Sequence, residues 1–308
     1  ITAPKKAFNS KLKDLSAWWK RWSKGVILPG LDGLTLYNLW IIYWGGIVKG
    51  TFSTRASSIA FSFFMAIFPF LLFVLNLIPY ITFIDDFQIE FLVFMDSLLP
   101  PETSDFFGTI FEDIASTPRG GLLSVAFILS VFLMTNGVNA IFTGFEFSYH
   151  TKQNRSIPRQ YAVALGVALI LALLLLISVI GAVYTAYAIA DLTDLGLVSK
   201  EGTGAHLLKY IGFVILIYTS VAILYYFGTK EARQARFFSV GATFTTILII
   251  IATFLFSLYI TNFSNYNELY GSIGALLILM FYIWLNSNLL LLGFELNASL
   301  IKLKRNFK

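Results

Sequence analysis

The sequence predicts an all-α polytopic membrane protein with six transmembrane helices, and three observations support this prediction. The first is composition: 57% of the 308 residues are hydrophobic and 13% are charged, whereas a soluble domain carries about 25% charged residues. The second is a series of apolar runs, each long enough to cross a bilayer. The third is the placement of the basic residues, which gather in alternate connections between those runs. Together these observations exclude a soluble domain.

Residues 1–55 are predicted to form a cytoplasmic, interfacial and amphipathic N-terminal segment. Its first stretch, "LKDLSAWWKRWSK" at 12–24, mixes tryptophans with basic residues, and its second, "LYNLWIIYWGGIV" at 36–48, adds two more tryptophans. Tryptophan rings favour the headgroup level of a bilayer, and cations favour anionic lipid. We therefore interpret the net charge of +5 as membrane-surface charge and expect lipids, not nucleic acid, as partners.

The transmembrane domain is predicted at 56–302, and residues 303–308 form a basic cytoplasmic tail. Each predicted span can cross a hydrocarbon core of about 30 Å at about 1.5 Å per residue. The runs are too long and too continuously apolar for barrel strands, which favours helices. The spans are placed at about 56–81, 121–147, 161–190, 207–228, 237–261 and 271–300.

The connection between the first two spans, residues 82–119, has a pattern of its own. Phenylalanines recur at helical spacing on both sides of Pro101. A proline suits the first turn of a helix. We expect two short amphipathic helices across the outer mouth of the bundle. They form either an extracytoplasmic lid over a cavity or a static cap on the helix ends.

The charges predict the orientation of the bundle. Most lysines and arginines precede the first span, lie between spans two and three or four and five, or follow the sixth span, whereas acidic residues gather in the 82–119 loop. The positive-inside rule then places both termini in the cytoplasm. We expect a multi-pass protein of the bacterial inner membrane, with its oligomeric state open and its soluble partners unknown.

Two carboxylates within the spans are the candidate functional groups. Glu146 and Glu295 both lie near predicted cytoplasmic helix ends, and Asn139 and Asn288 each precede one of them by seven residues. Seven residues are two helical turns, so each asparagine shares a face with its glutamate. This pattern predicts a polar seam that binds a polar headgroup, a proton or a cation. The predicted seam consists of Asn136, Asn139, Glu146, Asn288, Glu295 and Asn297.

A structural interpretation of the same residues stays open. The glutamates can accept bonds from interfacial cations such as Arg155, Arg159 or Lys302, and the asparagines can join helices by hydrogen bonds. Pro69 in span one removes a helical hydrogen bond and is expected to kink or break the helix. It is therefore the candidate gating hinge, with a static bend as the alternative.

The sequence predicts no enzyme, no cofactor and no metal site. It lacks the zinc-peptidase, serine-hydrolase, phosphate-loop and dinucleotide motifs. Glu146 and His150 stand four residues apart, but two ligands fall short of the three or four that a metal site needs.

Four stretches together resemble the YihY/BrkB family of bacterial inner-membrane proteins, formerly labelled ribonuclease BN. They are Arg55 with "IAFSFFMAIFPFLLF", then "NAIFTGFE", "SVGATF", and the long "YGSIGALLILMFYIWLNSNLLLLGFELNASL" of span six. The resemblance covers about residues 40–302. It implies six helices with cytoplasmic termini and a transport role for lipid-like substrates. The loop "FSYHTKQNRSIPRQ" after Glu146 departs from the family's usual charge pattern.

Three functions are weighed. The first is a transporter or flippase for an amphipathic, lipid-like substrate, with the polar seam open to the cytoplasm. The alternative is a non-transporting membrane scaffold in envelope assembly, favoured by the lack of charge at the middle of the spans. A ribonuclease is the least supported, because the sequence carries no catalytic signature.

Overall fold

The structure is a computed structural model. It describes residues 20–25, 35–49, 51–77, 120–148, 155–194, 203–229, 237–263 and 272–306. Long α-helices make up nearly all of this part of the chain. They are α1 (Leu36–Lys49), α2 (Phe52–Leu77), α3 (Gly120–Glu146), α4 (Ile157–Asp194), α5 (Thr203–Gly228), α6 (Val240–Phe263) and α7 (Ser272–Asn306).

Five of these helices are long and apolar enough to cross a membrane, which confirms a helical, multi-pass membrane protein. They are α3 to α7, and they correspond to predicted spans two to six. The first predicted span lies on α2, which is not among the five, so its crossing stays a prediction. The candidate membrane spans on them are Phe127–Glu146, Ile157–Ala182, Tyr210–Gly228, Val240–Ile260 and Leu276–Leu303.

The six long helices α2 to α7 pack as a closed ring. Each of them contacts the next in chain order from α2 to α6, α6 packs on α7, and α7 returns to α2. The core inside the ring is apolar and aromatic: the Phe145 ring stacks on Phe294 with centroids 4.1 Å apart, and both meet Tyr225 edge-on. The contact between α2 and α7 therefore joins the two ends of the ring.

The outward faces of the ring are also apolar. Large side chains stand exposed along them, for example Ile128 at 68% and Phe254 at 63%. A water-soluble bundle would cover such faces with charge, whereas lipid tails solvate them. The exposed residues therefore mark the surface that faces the bilayer.

The predicted N-terminal segment is described in part. Its second stretch is confirmed as a helix, α1, which packs on α7. Residues 20–25 are helical too, and the Lys24 Nζ lies 5.3 Å from the centre of the Tyr37 ring of α1. Trp40 and Trp44 stack at 5.6 Å and are exposed, as membrane-interface anchors would be.

Helix bounds differ from the predicted spans by a few residues, and one predicted region lies outside the described residues. Helix α2 begins at Phe52 and continues through Pro69 to Leu77, so Pro69 does not break the helix. Helix α7 runs to Asn306, six residues beyond the predicted end of span six. The outer loop at 82–119, predicted to form a lid or a cap, lies outside the described residues.

Candidate functional site

A buried ion pair joins α2 to α7. The Arg55 Nη2 lies 3.0 Å from the Glu295 Oε1, although 240 residues separate the two. Glu295 is 0% exposed and Arg55 is 6% exposed. An isolated charge at such a depth is strongly unfavourable, so each residue removes much of the cost of burying the other.

The end of α3 completes the contacts of this pair. The Arg55 Nη1 donates to the Gly144 carbonyl at 2.8 Å, and the Ser148 hydroxyl donates to the Glu295 Oε2 at 2.8 Å. A cation at the C-terminal end of α3 also complements the helix dipole. A Cβ at Gly144 would lie 3.0 Å from the Ile59 Cδ1, so the glycine allows α3 to approach α2 closely.

Tyr43 of α1 lies near the same pair. Burial first, and the negative charge of Glu295 second, raise the pKa of Tyr43 to about 12. Two buried polar atoms on these helices have no hydrogen-bond partner among the described residues: the Arg55 Nε on α2, and the Ser299 hydroxyl on α7, one helical turn after Glu295. The ion-pair site, defined as Arg55, Glu295, Ser148 and Tyr43, therefore keeps hydrogen-bonding capacity in reserve.

Glu146 belongs to a different set of contacts, centred on Arg155. The backbone N–H of Arg155 donates to the Glu146 Oε1 at 3.1 Å, and its Nη1 donates to the Phe227 carbonyl at 2.6 Å. Its guanidinium also lies 6.0 Å from the centre of the Phe142 ring. Arg155 thus joins the C-terminal ends of α3 and α5, where a cation is favoured.

Asn297 lies in a third set of contacts, at the start of α6. The Gly241 N–H donates to the Asn297 Oδ1 at 2.8 Å, and the Asn297 Nδ2 donates to the Ser239 hydroxyl at 2.8 Å. Ser239 is the N-cap of α6, since its hydroxyl accepts from the Ala242 N–H at 3.2 Å. Asn297 therefore completes the cap of α6 from a neighbouring helix.

The remaining predicted residues have local or pairwise roles. The Gln160 Nε2 donates to the Asn139 Oδ1 and to the Thr143 hydroxyl, both at 3.0 Å, which joins α4 to α3. The Asn288 Nδ2 donates to the Trp284 carbonyl of its own helix. Asn136 is half-buried on α3.

The six predicted seam residues are thus divided among separate sets of contacts. No hydrogen bond joins two of them within the described part of the chain. Gly144 contacts Arg55 and Ser148 contacts Glu295, whereas Glu146, between them in sequence, contacts Arg155. A shared space for both glutamates stays a prediction.

The sequence did not predict Arg55 as the partner of Glu295. The predicted partners of the two glutamates were Arg155, Arg159 and Lys302, which flank them in sequence or follow them on the same helix. The available signal was depth: Arg55 immediately precedes the apolar run of span one, at the cytoplasmic level predicted for Glu295. The described residues contain no group of three or more potential metal ligands.

Comparison with known proteins gives one family and several relatives. The family model described as "Virulence factor BrkB" matches residues 44–306. The chain is 29% identical over 264 residues to "Putative ribonuclease-like protein YfkH" of Bacillus subtilis, covering 82% of this chain and 91% of the relative. It is 25% identical over 268 residues to a "UPF0761 membrane protein" of Tolumonas auensis, covering 84% and 83%. No solved structure matches the chain.

Proposed function

The chain belongs to the BrkB family of membrane proteins, and from this premise we propose that it is a bacterial inner-membrane transporter or flippase for an amphipathic, lipid-like substrate. The match agrees with the family resemblance found in the sequence. We further propose that both termini face the cytoplasm. The observation that supports transport is the buried Arg55–Glu295 pair.

The argument from the ion pair is energetic. Apolar side chains of similar size would hold α2 against α7 at least as well, because a buried salt bridge recovers little more than its desolvation cost. Ionisable groups inside membrane proteins are therefore functional candidates by default. A guanidinium at the end of a helix bundle also has the geometry that recognises phosphate.

A groove on the lipid-facing surface supports an amphipathic substrate. It has a volume of about 390 Å³, lies between α3 and α4, and has a nearly wholly apolar lining. Arg159, which is exposed, lies two residues before the lining residue Tyr161, so a basic residue lies near one end of the groove. An acyl chain fits such a surface with its headgroup toward this end. The lining includes Phe127, Ile128, Val131, Phe132, Tyr161 and Leu165.

Transport is tested by phospholipid flux in proteoliposomes. We expect the protein to accelerate the movement of a labelled phospholipid between leaflets, and Glu295→Gln to change that rate. Thr185→Val is the control, because the Thr185 hydroxyl donates to the Gly181 carbonyl of its own helix and to no other helix among the described residues. No flux above protein-free liposomes would refute the transport proposal. Unchanged flux in both Glu146→Gln and Glu295→Gln would exclude the predicted polar seam from the transport mechanism.

One observation favours the scaffold alternative. The contact between α6 and α7 is so tight that a Cβ at Gly293 would overlap the Thr245 Oγ1 and lie 2.6 Å from the Tyr225 hydroxyl. Such packing suits a rigid bundle. A scaffold would support envelope integrity in cells even when a variant has lost all lipid flux, and a transporter would not.

A further inference from the structure

We propose that Arg55 is the receptor for the phosphate of an anionic lipid headgroup, and that Glu295 occupies this receptor until a proton neutralises its carboxylate. The inference rests on the proposed function, because the anion is taken to belong to the transported substrate. The substrate is thereby assigned to the anionic lipids, and one proton accompanies each substrate molecule into the site. Its first step is binding, which can be measured without transport.

The first argument is the unused edge of the guanidinium. The Nε and Nη2 of an arginine lie along one edge and together bind two oxygens of one oxyanion. Glu295 takes only the Nη2 with its Oε1, while its Oε2 accepts from Ser148. The Nε stays buried without a partner in the described part of the chain. A phosphate on this edge would satisfy both donors, which Glu295 does not.

The second argument is that Arg55 is held independently of Glu295. Its Nη1 donates to the Gly144 carbonyl, and its guanidinium lies 5.7 Å from the centre of the Phe52 ring. When Glu295 leaves the Nη2, both contacts can keep the guanidinium in place. The receptor is therefore preorganised for a second anion.

The third argument is charge balance. In the observed state the site holds one guanidinium and one carboxylate, and its net charge is zero. A phosphate diester that replaced an ionised Glu295 would leave an extra buried anion, whose desolvation is strongly unfavourable. If a proton from the cytoplasmic water binds the displaced carboxylate, the net charge is zero again. One proton therefore enters with each negative charge.

The groups that face Glu295 make the carboxylate the group that takes up this proton. Arg55 on α2 is a permanent cation, and Tyr43 on α1 is a neutral phenol whose pKa of about 12 keeps it protonated near neutral pH. From α3 the neutral Ser148 hydroxyl bonds the carboxylate. The described contacts of α6 with α7 near this level come from Gly241 and Ser239, which do not titrate.

An approach for the headgroup lies on the start of α2. Exposed hydroxyl side chains precede and follow Arg55 at the start of this helix, where the N–H groups of the first turn carry the positive end of the helix dipole. These features alone would describe an ordinary helix start. Combined with the buried, half-used guanidinium beside them, they form a polar entrance at headgroup depth. The hydroxyl residues are Thr51, Ser53, Thr54, Ser57 and Ser58.

The test measures binding of short-chain phosphatidylglycerol to the purified, full-length protein in detergent between pH 5 and pH 8. Binding that takes up one proton weakens by up to about tenfold for each unit by which the pH rises. We expect this slope for the unmodified chain, tight and pH-independent binding for Glu295→Gln, and no specific binding for Arg55→Gln. Arg21→Gln removes an exposed arginine and should bind as the unmodified chain does.

Fold loss is separated from binding loss by the double variant Arg55→Gln/Glu295→Gln. It leaves no unpaired charge, so we expect it to unfold at a temperature close to that of the unmodified chain and still not to bind. Tight binding by Arg55→Gln, or a Glu295→Gln variant that keeps the pH slope, would overturn the proposal. Equal affinity for inorganic phosphate would overturn the assignment to a lipid. Binding as expected in a protein without lipid flux would refute transport alone.

Discussion

Arg55 and Glu295 show how two charges can lie inside an apolar bundle. The described side-chain hydrogen bonds of both residues reach other parts of the bundle. Arg55 contacts α7 and α3, and Glu295 contacts α2 and Ser148, which lies two residues after the end of α3. Removing one member therefore affects three helices at once. The remaining charge would be buried without its partner.

Arg55→Met should lower the free energy of unfolding by about 3–5 kcal/mol, because the Glu295 carboxylate would stay buried and unpaired. Combining it with Glu295→Gln removes the second charge and should restore most of that loss. Chemical unfolding in detergent micelles measures both, and Arg21→Gln should stay within about 0.5 kcal/mol of the unmodified chain. Strict additivity of the two single changes would show that the pair does not interact.

Two asparagines on α7 offer a second comparison. Asn297→Ala should cost about 2 kcal/mol, because it leaves the Gly241 N–H buried without an acceptor and weakens the cap of α6. Asn288→Ala should cost only about 0.5 kcal/mol, because its amide bonds a carbonyl of its own helix. Thermal unfolding of the two variants tests the difference. Equal losses would mean that the bond across the helices contributes nothing.

At the level of helices, sequence patterns predicted the elements better than their contacts. The apolar runs predicted spans two to six closely, because lipid selects residue type over a fixed length. Pro69 was expected to kink or break α2, and the helix continues through it. The partner of Glu295 was not predicted, since hydropathy reports how deep a residue lies and not which helix it faces.

The contact between α6 and α7 depends on a residue with no side chain. Gly293→Ala should destabilise the protein by about 1–3 kcal/mol or more, because its Cβ would overlap the Thr245 Oγ1. The matched control is Gly212→Ala in α5, which has no atom within 4 Å of its would-be Cβ and should gain up to about 1 kcal/mol in helix propensity. Melting temperatures in detergent should move in opposite directions, and a shared direction would contradict this packing.

For the whole molecule, the sequence predicted the class and most helix bounds, but not the order of helices around the ring. That order is set by interlocking surfaces, such as the stacked Phe145 and Phe294 rings, and one-dimensional patterns do not encode it. The predicted seam was incomplete for the same reason. It grouped residues by depth, whereas Glu146 and Glu295 have different partners around the ring.

The orientation of the whole molecule can be tested directly, because the chain contains no cysteine. Asp105→Cys introduces a thiol into the predicted outer loop, and Gln153→Cys introduces one between spans two and three. A membrane-impermeant maleimide should label Asp105→Cys in intact spheroplasts and Gln153→Cys only after permeabilisation. The unmodified chain is the unlabelled control. Labelling of Gln153→Cys in intact spheroplasts would reverse the predicted topology.

The closed ring has a consequence for biosynthesis. Arg55 and Glu295 are 240 residues apart, and a ribosome adds about 5–20 residues per second, so the arginine is made about 12 to 48 s before its carboxylate. Throughout that interval the Arg55 guanidinium lacks the carboxylate that pairs with it in the finished chain. A chain that stops before α7 lacks this carboxylate permanently. A finished chain contains the Glu295 carboxylate beside Arg55 and therefore differs chemically from an unfinished chain. A membrane protease could recognise this difference.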